Sequence, residues 1–368
     1  MSNSKKWVIT TIALGLAILI ALSAVIVTVD PYFHYHKPLE GLYYELNNER
    51  SQNDGIIKHF DYDAMIIGTS MAENFKTSEL DELFGVNSIK VPFAGGTYKE
   101  LNDNIATAIQ YNPDLKMVVR PLDYAYLMDE ADRIRDDLGS YPDYLYDNNP
   151  FNDVNYIFNK EILFSICLPM LEDASAGTQA GITSFDEYAN WMNDADTEFG
   201  AQAVLGDRTE YKEPEEIQPF VDEIKQLVHD NITQNVVELA QANPDVQFYY
   251  YLTPYSIAWW GSQTELGTAE RWIDAEEYAI ELMLQCDNIH LFSFNTEFDL
   301  VTDLDNYSDE CHHGDWINSQ ILGWLYAGTD QLTLENYQEY ISVEREFYTT
   351  YDYDTLITPT SLNISSRD

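Results

Sequence analysis

The apolar run over residues 7–29 constrains this chain more than any other feature of its sequence. It contains no charged residue, no proline and a single glycine, Gly15. About 20 apolar residues are enough for a helix to cross the hydrocarbon core of a bilayer. The run therefore predicts a transmembrane helix over residues 7–29, with residues 1–6 as a short tail before it.

Charges on either side of this run set the expected orientation. Lys5 and Lys6 precede it, and Asp30 follows it. Because positive residues beside a membrane helix stay in the cytoplasm, we expect a single-pass cell-membrane protein with a cytoplasmic N terminus and an extracellular C-terminal part. A cleaved signal peptide is the competing interpretation, since residues 21–23 (ALS) resemble a cleavage site. The length of the run favours an uncleaved anchor.

The charge balance excludes one class of partner. The sequence carries 63 acidic and 19 basic residues, a formal net charge of −44. Such a surface repels phosphates, so we expect no nucleic-acid partner. With 45% hydrophobic residues the chain can bury a sizeable core, and the scattered acidic residues are typical of a solvated surface. The sequence does not indicate an oligomeric state.

Short apolar segments alternate with helical patterns after residue 60. The predicted strands are residues 64–67, 88–93, 115–122, 246–252 and 289–294. The predicted helices are residues 78–84, 98–111, 214–242, 269–285 and 315–326. This alternation predicts an α/β fold with a parallel sheet of about five strands, covered on both faces.

The same alternation of strands and helices sets the predicted domain boundaries. Residues 30–56 form a juxtamembrane segment, and residues 57–330 form the α/β domain. Residues 124–213 are rich in Asp, Asn, Tyr and Pro and interrupt the alternation of strands and helices. They are interpreted as an insertion or a cap over the functional site. Residues 331–368 are predicted to be a tail, helical at first and then irregular. Ligands of such sheets bind at the carboxyl ends of the strands.

Two polar motifs lie at those ends. The GTS turn at residues 68–70 follows the first predicted strand, which places Ser70 at the open end of the sheet. The DECH segment at residues 309–312 follows the last strand, and its spacing lets Asp309 orient His312. A serine is a weak nucleophile until a base removes its proton, and a carboxylate fixes the tautomer of that base. The pattern favours Ser70, His312 and Asp309 as catalytic residues, and we expect no metal and no cofactor.

In their order along the chain, these motifs resemble those of the SGNH/GDSL hydrolase superfamily, in particular membrane-anchored bacterial members found with cell-surface polysaccharide machinery. The resemblance spans roughly residues 60–326 and is carried by IIGTSMAENF (66–75), FAGGTYKE (93–100) and DECH (309–312). It implies a three-layer, flavodoxin-like sheet, with Ser70 as nucleophile and Asp309 and His312 as its partners.

The resemblance also implies an oxyanion hole. Its donors would be the backbone N–H of Ser70 and that of a glycine in the second motif, either Gly95 or Gly96. The family's third motif, G-x-N-D, falls on residues 120–123 (RPLD), so that Leu122 stands where a donating asparagine is expected. Losing one oxyanion donor lowers a rate by about 10²–10³. Asn74, near Ser70 in sequence, is a candidate replacement.

Further residues near strand ends are candidates for substrate binding: Asp123, Arg120, Tyr255 and His313. Arg120 could also stabilise an oxyanion by its charge. Tyr255 belongs to an aromatic segment with Trp259 and Trp260, which could stack on sugar rings or pack beneath the insertion.

The three cysteines leave alternatives open. Cys311 could act as a nucleophile beside two histidines, although neighbours on one turn seldom face each other. Cys286 and Cys311 could form a disulfide in an oxidising compartment, and unpaired thiols are at least as consistent with the odd number.

Two functional hypotheses follow. The first is a membrane-anchored extracytoplasmic serine esterase or O-acyltransferase, for which the resemblance implies acyl esters of a cell-surface glycan or wall polymer as substrate. The second is a catalytically degenerate SGNH-like scaffold that binds a glycan or a partner in surface-polymer assembly. The residue at position 122 motivates the second hypothesis.

Overall fold

The computed structural model describes residues 3–135, 141–194 and 196–357. The chain forms two compact units. The first contains residues 1–61, 107–113 and 136–189, and the second contains residues 62–106, 114–135 and 190–368. The predicted insertion is therefore divided between the units, with residues 136–189 in the first and residues 124–135 and 190–213 in the second, and its action as a cap stays a prediction. Residues 358–368 of the predicted tail lie outside the described residues.

The first unit begins with an apolar helix, Asn3–Val29. Within the described residues it is the one helix long and apolar enough to cross a membrane, and most of its side chains are exposed. The helix ends at Val29, and the next residue, Asp30, turns the chain with a φ of 46°. The buried Asp30 carboxylate accepts the backbone N–H groups of His34, Tyr35 and His36 at 2.7–3.1 Å. The predicted N-terminal apolar helix is thus confirmed.

Short elements complete the first unit. They are the helices Glu49–His59, Asp143–Tyr146, Val154–Ile157, Ile162–Cys167 (a π-helical turn) and Leu168–Ala176, and a parallel pair of two-residue strands, Tyr43–Tyr44 and Gly181–Ile182. The helix Glu49–His59 was not predicted, because it buries polar residues such as Gln52 and Asn53 and so lacks an apolar stripe. Its N-cap is Asn48, whose side chain accepts the N–H of Ser51.

The second unit contains a five-stranded sheet. Its strands are β1 (Ala64–Ile66), β2 (Ser88–Lys90), β3 (Met117–Leu122), β4 (Gln247–Leu252) and β5 (Ile289–Ser293). The spatial order is β2-β1-β3-β4-β5, and every neighbouring pair is parallel. This is the flavodoxin-like doubly wound order, whose ligand crevice lies beyond the carboxyl ends of β1 and β3. The predicted parallel α/β sheet is confirmed.

Helices cover both faces of the sheet. The further helices of the chain are Thr77–Phe84, Tyr98–Tyr111, Ala201–Leu205, Asp222–Ile232, Glu238–Ala242, Ile257–Glu265, Ala269–Met283, Phe298–Val301, Asp315–Ala327 and Tyr337–Thr350. On one face, Tyr249 of β4 contacts Phe84 with ring centroids 5.3 Å apart. On the other face, the Arg120 guanidinium of β3 lies 4.8 Å from the ring centroid of Tyr98. The sheet is therefore the middle of three layers.

Two boundaries differ from the sequence-based prediction. The helix expected from residue 214 begins at Asp222, because Pro219 lacks an N–H and disfavours helical backbone before it. Part of the predicted tail belongs to the sheet-containing unit. The Leu332 N–H donates to the Leu291 carbonyl at 2.8 Å, and Tyr337–Thr350 packs against Ala269–Met283.

Candidate active site

Ser70 lies just past the end of β1. The pairing of β1 with its neighbours continues to Gly68, whose carbonyl accepts the Phe93 N–H at 2.8 Å. A Cβ at Gly68 would lie 2.5 Å from Pro121 Cγ, so the close approach of β1 and β3 requires glycine here. Thr69 then caps a single helical turn, Ser70–Ala72, by accepting the Met71 N–H. This turn leaves Ser70 partly exposed at the carboxyl edge of the sheet.

The segment after Ser70 is held by buried side chains. Lys90 on β2 is completely buried and donates to the carbonyl oxygens of Glu73 and Phe75. Asn318 on the helix Asp315–Ala327 donates to the Met71 carbonyl at 3.2 Å. These bonds satisfy backbone acceptors that the short helical turn leaves unpaired, and they fix the position of Ser70.

His312 and Asp309 lie on a closed turn before the helix Asp315–Ala327. The Asp309 Oδ1 atom accepts the backbone N–H groups of Cys311 and His312, both at 2.7 Å. The Ser308 N–H donates to the His312 carbonyl at 2.9 Å. The second oxygen of Asp309 lies 2.7 Å from His312 Nδ1. One carboxylate thus closes the turn and orients the imidazole.

The structure brings this turn to Ser70, although 242 positions separate Ser70 from His312. His312 Nε2 lies 2.8 Å from Ser70 Oγ. With Nδ1–H donated to Asp309, Nε2 is left to accept the hydroxyl proton of Ser70. The three residues predicted to be catalytic therefore form one hydrogen-bonded chain at the carboxyl edge of the sheet.

The charges of Asp309 and His312 stabilise each other. Burial acts to raise the pKa of Asp309, but the hydrogen bond and charge of His312 and two backbone N–H groups lower it to about 2. Burial acts to lower the pKa of His312, but the hydrogen bond and charge of Asp309 outweigh burial, and the charge of Asp123 adds to them. The pKa of His312 is therefore raised above its ordinary value of 6.5, as suits a general base.

Asp123 is a buried carboxylate beside this chain. It follows β3 directly, and it accepts hydrogen bonds from the hydroxyl groups of Thr69 and Tyr255, the latter at 2.7 Å. Burial raises its pKa even though both hydroxyl groups favour the ionised form. Because Thr69 immediately precedes Ser70, Asp123 ties the ends of β1 and β3 together at the crevice. With 3% exposure it contacts protein groups, and its predicted contact with substrate has no open approach.

Three other predicted substrate-binding residues are also interior. Arg120 is completely buried and donates to the carbonyl oxygens of Asn235 and Tyr98 at 3.1 and 3.4 Å, because its side chain points from mid-strand into the layer of helices. His313 is buried against Tyr307, and burial lowers its pKa to about 4. The Tyr255 hydroxyl donates its hydrogen bond to Asp123. The structure thus corrects the prediction that these side chains line the cleft.

The aromatic segment after β4 packs inside the second unit. Tyr255, Trp259 and Trp260 are buried and surround the ring of Tyr124, with ring centroids 5.3–5.8 Å from it. Of the two interpretations of this segment, packing is the one that the structure shows.

The backbone geometry distinguishes the two candidate glycines. The Gly96 N–H donates to the Phe93 carbonyl at 2.6 Å and is occupied by the turn. The Gly95 and Ser70 N–H groups have no acceptor among the residues that the structure describes. Gly95 also has a φ of +62°, which few other residues adopt. Gly95 is therefore the better candidate for an oxyanion donor.

The side chains considered for the third oxyanion donor are all largely buried. Leu122 is completely buried in β3, and Asn74 is 2% exposed, with an Oδ1 atom that has no partner within the described chain. Arg120 points away into the helical layer, as described above. Leu122 and Arg120 therefore supply no donor to the crevice, and the role of Asn74 as an oxyanion donor stays a prediction.

One aromatic cluster next to the site was not predicted. The Trp191 ring lies edge to face with the His312 ring, with centroids 6.0 Å apart. Phe199 stacks on Trp191 and contacts Trp316, which is 43% exposed. Trp191 and Phe199 lie in an irregular segment where no periodicity signals burial, so their approach to His312 depends on tertiary contacts.

All three cysteines are free thiols. Burial raises the pKa of Cys311 well above its ordinary value, and the charge of Asp309 adds to the rise. A protonated thiol is a poor nucleophile, which argues against Cys311 as the attacking group. Cys286 is buried and donates to the Val237 carbonyl.

Comparison with known proteins adds little to this geometry. The chain matches no protein-family profile and no curated protein sequence. A solved structure described as a "putative platelet activating factor from Streptococcus pneumonia" is similar at a TM-score of 0.35 and 11% identity, over 76% of this chain and 89% of that one. The fold and site by themselves define an α/β protein with a Ser-His-Asp chain at the edge of a parallel sheet.

Proposed function

We propose that this protein is a membrane-anchored extracytoplasmic serine esterase or O-acyltransferase of the SGNH type. The observation that carries the proposal is the hydrogen-bonded chain Ser70–His312–Asp309, with heavy-atom distances of 2.8 and 2.7 Å. Nucleophile and base at this separation, with the base oriented by a carboxylate, are the requirement for nucleophilic acyl transfer.

In the first half-reaction Ser70 Oγ attacks the carbonyl carbon of an acyl ester while its proton passes to His312 Nε2. Asp309 stabilises the imidazolium that forms. The N–H groups of Ser70 and Gly95 donate to the oxyanion. His312 then returns the proton to the alkoxide oxygen of the leaving group as the C–O bond breaks, which leaves the acyl group on Ser70.

In the second half-reaction a hydroxyl group attacks the acyl-serine. His312 accepts the proton of the attacking hydroxyl and delivers it to Ser70 Oγ as the acyl–serine bond breaks. Water as the attacking group makes the protein an esterase, and a sugar hydroxyl makes it an O-acyltransferase.

We assign the substrate to acyl esters of a cell-surface glycan or wall polymer. The resemblance of the motifs and the apolar N-terminal helix support this assignment. The aromatic cluster of Trp191, Phe199 and Trp316 beside His312 is a surface on which a sugar ring can pack. The net charge of −44 favours an uncharged polymer over an anionic one.

Turnover of p-nitrophenyl acetate by the full chain in detergent tests the proposal. The substitution Ser70→Ala removes the nucleophile, and we expect kcat to fall at least about 10³-fold. Ser319→Ala, on the helix that follows His312, is the matched control and should keep wild-type turnover. Full turnover by a folded Ser70→Ala protein would contradict the assignment of the nucleophile.

A non-catalytic scaffold is the second candidate, and the absence of a donor at the buried Leu122 favours it. Such a protein would bind acylated glycan equally well before and after Ser70→Ala, and it would turn over no ester. The two candidates are therefore separated by the same pair of variants.

A further inference from the structure

Large apolar side chains are exposed along one stretch of the first unit. They are Phe151, Val154, Phe158, Phe164 and Leu171, with exposed fractions from 39% to 86%. Phe164 lies in the π-helical turn Ile162–Cys167, and Leu171 lies in the helix Leu168–Ala176 that continues from it. Exposed apolar side chains that form a contiguous surface mark a contact with a partner or a membrane.

This stretch packs against the anchor helix. The short helices Val154–Ile157 and Ile162–Cys167 both contact Asn3–Val29. An apolar cavity of about 250 Å³ lies between them, lined by Leu19, Leu22 and Ile26 of the anchor and by Ile157, Phe158, Leu163 and Phe164. The exposed phenylalanines therefore lie beside the anchor itself, within one compact unit.

Buried hydrogen bonds fix this arrangement. The Tyr156 hydroxyl donates to the Asp30 carboxylate at 2.7 Å, directly after the anchor ends. The Tyr44 hydroxyl donates to the Val29 carbonyl at 2.7 Å. The Tyr35 hydroxyl donates to Asp153 at 3.0 Å. The stretch is thus held to the last turn of the anchor and follows its position.

The position along the helix Asn3–Val29 at which this stretch makes contact determines whether lipid or water surrounds its exposed apolar side chains. At a rise of about 1.5 Å per residue, Leu19 lies about 15 Å before Val29 along the helix axis. The hydrocarbon core of a bilayer is about 30 Å thick. If residues 7–29 cross that core, the apolar cavity at Leu19, Leu22 and Ile26 opens onto acyl chains.

We infer that residues 154–171 form a second membrane-embedded element, which lies among the acyl chains of one leaflet with Phe158, Phe164 and Leu171 in contact with lipid. This inference rests on the proposal that the apolar helix crosses the membrane, and it does not depend on the catalytic assignment.

The stretch contains two charged residues, Lys160 and Glu161. Lys160 lines the same apolar cavity, and its long side chain can carry the ammonium group to the lipid headgroups. Glu161 follows Lys160 directly in the sequence and is exposed.

Nitroxide labels measure depth directly. The full chain carrying Cys311→Ser is reconstituted in phosphatidylcholine vesicles, and single labels are placed by Phe164→Cys, Leu171→Cys, Leu16→Cys and Asp173→Cys. Cys167 and Cys286 are buried and do not compete. Asp173 is the matched control, because it is exposed on the same helix as Leu171 and about 200° around it. Collisions with oxygen report lipid, and collisions with a water-soluble nickel chelate report water.

We expect the Phe164→Cys, Leu171→Cys and Leu16→Cys labels to collide preferentially with oxygen, and the Asp173→Cys label to collide with the nickel chelate. Aqueous exposure of both the Phe164→Cys and Leu171→Cys labels, with the Leu16→Cys label in lipid, would overturn the inference and leave the anchor intact. Aqueous exposure of the Leu16→Cys label would overturn the anchor and the inference together.

Discussion

At Asp309 one carboxylate both closes the turn and sets the protonation of the base. Because the pKa of His312 is raised above 6.5, the imidazole loses its proton-accepting form as the pH falls through that raised value. We therefore expect kcat/KM for a neutral ester to decrease toward acid pH, with a midpoint above 6.5.

The substitution Asp309→Asn tests the source of that shift. It removes the charge and the acceptor that raise the pKa of His312. The decrease of kcat/KM toward acid pH should therefore begin at a lower pH than in the wild type. The wrong tautomer should also lower kcat by about 10⁴. Asp305→Asn, in the same loop and exposed, is the control. If kcat/KM of Asp309→Asn falls with the same pH midpoint as that of the wild type, the role given to this carboxylate is refuted.

Gly95 supports a second prediction at the level of one residue. A Cβ at Gly95 would lie 1.6 Å from Arg135 Nη1, and the φ of +62° disfavours any side chain. Gly95→Ala should displace the amide proposed as oxyanion donor and lower kcat by about 10²–10³. Gly85→Ala is a matched control, because Gly85 has a φ of +69° and open space around its Cα. Equal turnover of the two variants would remove Gly95 from the oxyanion hole.

At the level of elements, two buried carboxyl groups join the helices Ala269–Met283 and Tyr337–Thr350. The Asn295 side chain donates to Glu344 at 3.1 Å and to Glu276 at 3.5 Å, and the Tyr124 hydroxyl donates to Glu276. Burial raises the pKa of Glu276 to about 7 from 4.5, and burial and the charge of Glu276 raise that of Glu344. At neutral pH this pair holds protons that the unfolded chain has released.

This pair predicts how stability depends on pH. Between pH about 4.5 and 7 the folded state binds more protons than the unfolded state, so the free energy of unfolding falls as the pH rises. The loss is on the order of 3 kcal/mol for Glu276. Glu276→Gln should flatten this slope, whereas Glu281→Gln, exposed on the same helix, should leave it unchanged. Urea denaturation at pH 5 and 8 measures the slope, and an identical slope in Glu276→Gln would contradict the prediction.

Local signals predicted most of the sheet. β1 is a run of apolar residues and β3 to β5 consist mostly of apolar and aromatic residues, and the helix Tyr98–Tyr111 was predicted with the bounds that the structure has. The meeting of Ser70 and His312 was also predictable, because both follow strands whose carboxyl ends share one edge of a parallel sheet.

Other features were not predictable, because they depend on contacts distant in sequence. The sequence alone does not show that Arg120 points into the helical layer, since a strand residue can face either side. The burial of Tyr255 depends on Asp123, and the approach of Trp191 to His312 depends on an irregular segment. The exposed apolar side chains of residues 154–171 lie where this stretch packs against the helix Asn3–Val29, a contact that the sequence does not reveal.

At the level of the whole molecule, the charge of −44 should act on substrates from a distance. The Debye length falls from about 30 Å at 0.01 M salt to about 3 Å at 1 M. We therefore expect kcat/KM for mono-p-nitrophenyl succinate, an anion, to rise several-fold relative to p-nitrophenyl acetate as salt increases. A constant ratio across that range would show that the overall charge does not reach the site.

The most direct test of the account is covalent labelling of Ser70 by a fluorophosphonate, because this reagent reacts with a serine hydroxyl that a neighbouring base has activated. The full chain in detergent is treated with the probe, and the modified residue is identified by mass spectrometry. The account predicts modification at Ser70, lost in Ser70→Ala and slowed at least about 10²-fold in His312→Ala. A folded protein that stays unmodified at Ser70, or that reacts equally fast without the imidazole, would contradict it.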